Sequence, residues 1–455
     1  MALVIYPQGW LHNANVYGFL KVINEKSRER KISFELSDIL KDDGTIVLED
    51  KMLDELYLID NFDNLSLPRL FVFILEETAR IEGDIRKAYN YFKGNVGYYE
   101  NYVAQVKEKQ FMENLSKIVH YIFRKPSLEG TDRCFFCGNS LKTDEDRSIL
   151  QRKQFSRILF KDFSSSEGKF PNSFWNMSNE FYLCDVCSQM ALFRHFVFPK
   201  SGESIFVNVP SFKAIWYLNE AIKAYRDLSL ELSVSRAISE VHLKLQRLLG
   251  IWERQNVEVI YYNSKSYRIY YMPQRVINLL LNTRISSILN SLNSIKIFEA
   301  VIYQERLNEI LECEYLLLKY LFDVSSSGRS HLAENVKQYV GDVKRNAGYY
   351  MNTLPDLFQE VRSVMGVKQM VPVWRMRELG KEASQLFERT RYRLLELIRL
   401  AKKDEVYHLI LKTYMANNKP FPEDLNRVFS AKDEDFKNLM FAYVSGMISG
   451  GEENE

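Results

Sequence analysis

Two short motifs, CFFC at Cys134 and Cys137 and CDVC at Cys184 and Cys187, constrain this chain more than anything else in it. Each pair sets two thiols on one turn, and two such pairs supply the donors of a tetrahedral Zn²⁺ site with Zn–S bonds of about 2.3 Å. Residues 138–183 make a longer spacer than a compact zinc ribbon has, and they are loop-rich, with SSSEG at 164–168 and Pro171. A metal that closes such a loop lets the stretch do without a core of its own. The alternative is four reduced or redox-active thiols; the paired spacing favours the metal. Four thiolates leave no open coordination position, so the Zn²⁺ reads as structural and not catalytic. His195 lies near the second pair in sequence but reads as a core or surface histidine.

At 455 residues the chain is long enough for two or three domains. A formal net charge of +2 is too small for a general polyanion binder, so nucleic-acid contact has to come from local basic patches. The 27 Tyr and 29 Phe serve either packing or base stacking. The opening MALVIYPQGWLHNANVYGFL lacks the basic start of a signal peptide, and no apolar run approaches the ~20 residues of a spanning helix. With four of five cysteines in metal-type pairs, the expected setting is the cytoplasm, away from membranes. The fifth, Cys313, sits in a strongly apolar helical stretch and reads as a small buried hydrophobe.

Hydrophobic periodicity gives an α+β, mostly helical chain. Residues 10–24 read as a helix, 31–36 (KISFEL) and 45–50 (TIVLED) as two strands joined by a turn, and 70–92 and 98–123 as helices. After the zinc excursion, ESIFVNVP suggests a strand, and NVEVIYY with SYRIYYMP a tyrosine-rich hairpin. Helical patterns follow at 275–292 and 306–322, then a Ser- and Gly-rich linker at 323–330, then helices at 331–345, 355–364, 374–403, 405–415 and 433–447. The expected organisation is an α/β part over 1–133, a four-cysteine zinc-finger excursion over 134–187, a continuation of the α/β domain over 188–322, and a helical bundle over 331–455. Residues 331–419 carry 16 basic and 10 acidic side chains, whereas 421–455 carry 3 and 8, so the bundle is basic and its tail acidic.

Between the cysteine pairs, Arg147, Arg152, Lys153, Arg157 and Lys161 run without an acidic residue and with Phe155, Leu159 and Phe160 interleaved. Such a run grips a phosphate backbone or forms a solvated basic face. In the bundle, Arg389 and Arg393 are one turn apart and are the better phosphate-facing candidates, because Glu378, Glu382, Glu388 and Glu396 are spaced to pair with neighbouring arginines. Lys344 and Arg345 precede Tyr349 and Tyr350, which sets charge beside stacking surface. No phosphate loop, HExxH or GxSxG motif occurs, and the six histidines are scattered from His12 to His408, so catalysis is not indicated.

The opening GWLHNANVYGFLKVI taken with the CFFC and CDVC pairs resembles the CXXC-CXXC family of CRISPR-associated proteins, the large subunit of type I-B Cascade surveillance complexes. The resemblance implies a non-catalytic subunit that reads a protospacer-adjacent motif in target double-stranded DNA and aids strand opening and R-loop formation. Pairing to CRISPR RNA then supplies sequence specificity. It implies as partners CRISPR RNA, target DNA, the Cascade backbone and small subunits, and a recruited helicase-nuclease that does the cutting. Asn13 and Asn15 become candidate base readers, or else they cap or pack the first helix. The C-terminal bundle resembles the small subunit, and Met351 is one methionine from which that part could be made separately. Two other classes stay open: a zinc-stabilised nuclease whose carboxylates converge only in the fold, and a zinc-stabilised protein-interaction scaffold.

Overall fold

The computed structural model describes residues 2–90, 119–120, 122–126, 130, 132–141, 182–199, 202–225, 232–239, 257–263, 267–303, 306–322, 326–368 and 370–451. The chain divides into two units, Met1–Ala224 with Gly250–Met272, and Tyr225–Leu249 with Pro273–Glu455. The fold is mixed α+β and mostly helical, with small antiparallel sheets.

In the first unit, strand β1 (Leu3–Ile5) leads into α1 (Trp10–Arg28), a 19-residue helix whose Ala14, Val16, Phe19, Leu20 and Ile23 are all buried. Lys26 and Arg28 in its last turn complement the negative end of the helix dipole. The alternation in KISFEL predicts a strand, yet no strand forms there. Ile32, Phe34 and Leu36 are buried as the alternation requires, but Glu35 and Asp38 make a capping box and turn the chain into the short helix α2 (Leu36–Ile39). Strand β2 (Ile46–Leu48) therefore pairs antiparallel with β1, with Val4 opposite Val47.

Helix α3 (Asp50–Leu56) is followed by the hairpin of β3 (Ile59–Phe62) and β4 (Leu65–Pro68), closed by Asp63 and Asn64 at φ 49° and 61°, the left-handed pair that a two-residue turn demands. Helix α4 (Arg69–Glu82) stops at Gly83, φ 78°, so the helix expected over 70–92 is divided and α5 (Ile85–Asn90) starts anew. Most of the helix expected over 98–123 lies outside the described residues. Lys26, 1% exposed, joins α1 to α4 through Glu76 and Glu77, each at 2.8 Å, and also meets Glu29 at 2.9 Å. Burial opposes its charge, but these carboxylates outweigh burial and push its pKa up to about 12.

Strands β5 (Asp132–Arg133) and β6 (Ser140–Leu141) frame the first cysteine pair, and α6 (Asp185–Met190) begins at the second. Then come β7 (Ser204–Asn208), α7 (Phe212–Ala221), β8 (Glu258–Tyr262) and β9 (Tyr267–Tyr271). The tyrosine-rich hairpin forms as the alternation predicts, with Ile260 opposite Ile269, and β7 adds to it as a third strand in the order β7-β8-β9. Tyr267 and Tyr262 stack 4.8 Å apart, and Phe198 and Trp10 close on Tyr267 at 5.3 and 5.4 Å. Here the aromatic excess serves packing.

The second unit is helical: α8 (Gln274–Leu281), α9 (Thr283–Leu292), α10 (Ile295–Ile302), α11 (Asn308–Phe322), α12 (Ser326–Val340), α13 (Val343–Val364), α14 (Val373–Glu382), α15 (Arg391–Arg399), α16 (Lys403–Ala416), α17 (Glu423–Val428) and α18 (Asp433–Gly451). The pattern over 275–292 is split at Asn282, whose side chain accepts from the backbone N–H groups of Arg284 and Ile285 and so caps α9. Ser326–Ser330, expected within a linker, opens α12 instead. Pro355, expected to start a helix, lies inside the 22-residue α13, which begins at a cap made by Asp342. The pattern over 374–403 breaks into α14, a 3₁₀ turn at Ser384–Phe387 and α15, with Phe387 buried at the break.

Glu314 on α11 is 1% exposed, and neither of its carboxylate oxygens has a hydrogen-bond partner among the described residues. Burial raises its pKa well above the ordinary carboxyl range, with Arg377 opposing and Asp356 adding to the shift. The folded chain thus keeps a proton that the unfolded chain releases above about pH 4.3, so this group costs stability increasingly as pH rises. Glu314→Gln is expected to raise the melting temperature, and by more at pH 8 than at pH 5. Thermal melts at both values that show an equal or opposite shift would contradict this.

Candidate metal centre

The first cysteine pair sits in a knuckle between β5 and β6. Cys134 N–H donates to Asn139 O at 2.9 Å, Gly138 N–H donates to Cys134 O at 2.9 Å, and Gly138 supplies the positive φ of 69° that the turn needs. The second pair starts α6: Cys184 is its N-cap, and its sulfur accepts from Cys187 N–H at 3.5 Å. Phe135 N–H donates to Tyr182 O at 3.1 Å and brings the two knuckles together. Gln189, farther along α6, donates to Ile122 O and Arg124 O at 2.7 and 3.0 Å and accepts from the Tyr57 hydroxyl, which anchors the helix.

All four sulfurs fall within 4.8 Å of one another, with Cys137 and Cys184 at 3.5 Å, and three of the four residues are buried. A tetrahedral site with bonds of about 2.3 Å has sulfur–sulfur edges of about 3.8 Å, so the donor set fits one Zn²⁺. Mutual sulfur hydrogen bonding holds the Cys134 thiol low and the Cys187 thiol high. Four thiolates this close repel one another, and only a cation lets all four ionise together. The structure thus joins the four cysteines that the sequence paired two by two; the identity of the metal rests on the chemistry of the donors.

No sequence pattern singles out His12. It lies on α1, 1% exposed, with Nδ1 3.9 Å from Cys187 Sγ and its ring against Phe136. Burial above all lowers its pKa to about 4. The neutral ring thus packs against the second cysteine pair from α1. His195 lies elsewhere, its Nε2 2.9 Å from Thr78 Oγ1, and burial lowers its pKa to about 3. Helix α1 reaches the second knuckle's neighbourhood because residue 18 is glycine: a Cβ there would overlap the carbonyl of Phe193, in the 3₁₀ turn Ala191–Phe196.

The asparagines of α1 need correction. Asn13, the first expected base reader, is wholly buried, accepts from Gln8 N–H at 2.8 Å and donates to Gln8 O at 2.7 Å and Asn208 Oδ1 at 2.8 Å. Asn208 in turn donates to Glu258 at 2.7 Å. Asn15 is also wholly buried. A side chain with no exposed surface cannot meet a base edge, so both belong to the interior, as the packing alternative has it.

Among the basic candidates, Arg147, Arg152, Lys153, Arg157 and Lys161 lie outside the described residues, and of Lys344 only the backbone is described, on α13. Arg345 is exposed. Of the tyrosines behind it, Tyr350 is buried with its hydroxyl on Leu292 O, while Tyr349 is 50% exposed. Arg389 and Arg393 are both exposed, the first in the turn before α15 and the second within it, so they do not share one continuous helix. Neither has an ion-pair partner among the described residues, whereas Arg375 pairs with Glu378 and Asp424 at 3.1 Å, and Arg377 with Asp356 at 2.9 Å. Arg391 likewise has no ion pair among the described residues; its guanidinium lies over the Phe322 ring at 5.0 Å, which leaves Arg389 and Arg393 as the exposed arginines of this stretch without either kind of contact.

Among the described residues, no helix is long and apolar enough to cross a membrane. Residues 128–198, which hold all four cysteines, match the model of a family described as CRISPR-associated protein (Cas_CXXC_CXXC). No curated protein and no solved structure matches the chain. The cysteine-bearing segment is therefore similar to a CRISPR-associated family, and this supports a CRISPR-associated protein.

Proposed function

We propose that the chain is the non-catalytic large subunit of a type I-B CRISPR RNA-guided surveillance complex. In this role it recognises the protospacer-adjacent motif in target duplex DNA, aids strand opening and R-loop formation, and recruits a helicase-nuclease. The observation that carries the reading is the four-cysteine cluster lying within a segment similar to a CRISPR-associated family. The cysteines give a rigid staple and no open ligand position, which suits architecture and not hydrolysis. Arg389 and Arg393, exposed and without ion pairs among the described residues, suit the neutralisation of a displaced strand. CRISPR RNA and the backbone and small subunits are the partners this role requires.

The test is target-duplex binding by a guide-loaded complex assembled with and without this chain, on DNA with the motif intact and with it scrambled. Motif-dependent binding that disappears when the chain is left out is the expected result; equal binding in all four cases would sink the proposal. For the arginines, Arg389→Glu with Arg393→Glu should weaken binding to every sequence and flatten the slope of log K against log salt by about two. A changed motif preference would instead assign them to base reading.

A further inference from the structure

Helix α15 and the turn before it carry Arg389, Arg391, Arg393 and Arg399 against Glu388 and Glu396. Packing uses part of that charge. Arg391 lies over the Phe322 ring at 5.0 Å and Arg399 over the Tyr315 ring at 4.7 Å. Glu396 accepts from the Tyr315 hydroxyl at 2.6 Å and pairs with Lys319 at 3.4 Å and Arg399 at 3.7 Å, so its charge is neutralised within the cluster. Arg389 and Arg393 remain exposed, with neither an ion pair nor a ring contact among the described residues.

An aromatic ring stands with these two arginines. Tyr392 is 42% exposed, in the first turn of α15, next to Arg393 and three positions after Arg389. Lys319 Nζ lies 5.7 Å from its ring centre and 3.1 Å from the Tyr315 hydroxyl, and so holds the ring from the side of α11. Among the described residues no other aromatic ring packs on it, unlike Tyr407, which meets Phe429 at 5.1 Å. Exposed cations and an exposed ring within one turn of chain restrict what can bind. Duplex DNA would meet the arginines, but its bases are paired and stacked on one another and offer the ring nothing. An acidic peptide would also meet the arginines, yet the faces of a tyrosine ring are electronegative and repel carboxylates. A single strand satisfies both features, with phosphates on the arginines and a splayed base on the ring. We infer that Tyr392 is a stacking platform for an unpaired base, and that Arg389 and Arg393 hold the phosphates flanking that base. The inference rests on the nucleic-acid reading above and adds to it a contact that only a single strand can make.

The experiment titrates the full chain with three probes of equal length: an oligothymidine, a fully abasic strand, and the oligothymidine paired with oligoadenine. The oligothymidine is expected to bind about fivefold or more tightly than the abasic strand, the lower end of what one stacked base contributes. Tyr392→Ala should weaken the oligothymidine by about the same factor and leave the abasic strand and the duplex unchanged, whereas Tyr392→Phe, which keeps the ring, should bind as the unaltered chain does. A strand carrying 4-thiothymine, irradiated with the unaltered chain, should crosslink to the peptide that holds Tyr392. Equal weakening of all three probes by Tyr392→Ala would mean that the variant acts through Lys319 and the local fold, and would overturn the platform. Unchanged binding of all three, a crosslink mapping elsewhere, or displacement of the oligothymidine by polyglutamate as readily as by a second single strand would overturn it too, while a salt-dependent loss on charge reversal of the arginines leaves the nucleic-acid reading in place. Absence of binding to any probe overturns the platform; with the guide-loaded complex also indifferent to the chain, it overturns both.

Discussion

Treatment with a chelator is expected to release one Zn²⁺ per chain and to lower the melting temperature by about 10 °C or more. The reasoning starts from the closed loop. The two knuckles touch through Phe135 and Tyr182, a backbone hydrogen bond of 3.1 Å, while residues 138–183 separate them along the chain. One bond of that kind contributes only about 1 kcal/mol, far less than the coordination of a structural Zn²⁺ at about 10–16 kcal/mol in small finger domains. If only ~4 kcal/mol of that were felt by the folded unit, a shift of about 2–4 °C per kcal/mol gives the stated drop. Cys187→Ser should reproduce most of it without chelator, because Cys187 is 1% exposed and its neighbours would be left as three crowded thiolates. Atomic emission gives the stoichiometry and thermal melting the shift. Amide exchange should localise the loss to residues 132–141, 182–199 and α1, where His12 touches Cys187. A variant with full metal content and an unaltered melt would show that the cysteines are an ordinary buried cluster.

That outcome also bears on what could be read from residues alone. The cysteine pairs were legible because metal chemistry fixes both residue type and local spacing; their convergence into one cluster follows from the same tetrahedral requirement. His12 was not, since nothing within a turn of it marks a partner 175 positions away. The asparagines of α1 show the opposite failure. The family resemblance made them candidate base readers, yet Asn13 is held by Gln8 and Asn208, a contact between α1 and β7 that no local pattern encodes. Elements with long periodic runs, α1, α16 and α18 among them, lie close to where their periodicity places them. KISFEL misled because its alternation satisfies burial equally well in an irregular segment, and the capping pair Glu35 and Asp38 decides the backbone. Arg389 and Arg393 stand out by subtraction once the acidic neighbours are assigned to other arginines; ion-pair geometry alone leaves Arg391 over as well, and only its stacking on Phe322 sets it apart.

Gly380→Ala or Gly446→Ala should each destabilise the second unit by about 3 kcal/mol or more, at the upper end of what overpacking costs, although alanine is the better helix former. Helices α14 and α18 cross so closely that a Cβ on Gly380 would overlap the carbonyl of Tyr443, and one on Gly446 the carbonyl of Arg377, each well inside the 3.0 Å that real Cβ atoms respect. Both obstacles are main chain, so no rotamer change relieves them; the helices must part. Parting would loosen Met376, Leu379, Met440 and Tyr443, all at 1% exposure or less, and Tyr443 is the largest fully buried side chain among the described residues. The cost therefore exceeds the ~1 kcal/mol that alanine gains over glycine by propensity. Gly348 supplies the control. It is exposed on α13 with nothing within 4 Å of its would-be Cβ, so Gly348→Ala should raise stability by roughly 0.5–1 kcal/mol. Denaturant titrations of the three variants decide the matter through the sign of the change: losses at 380 and 446 beside a gain at 348 place the effect in the helix crossing, whereas three gains would mean that the two helices stand farther apart than the glycines imply.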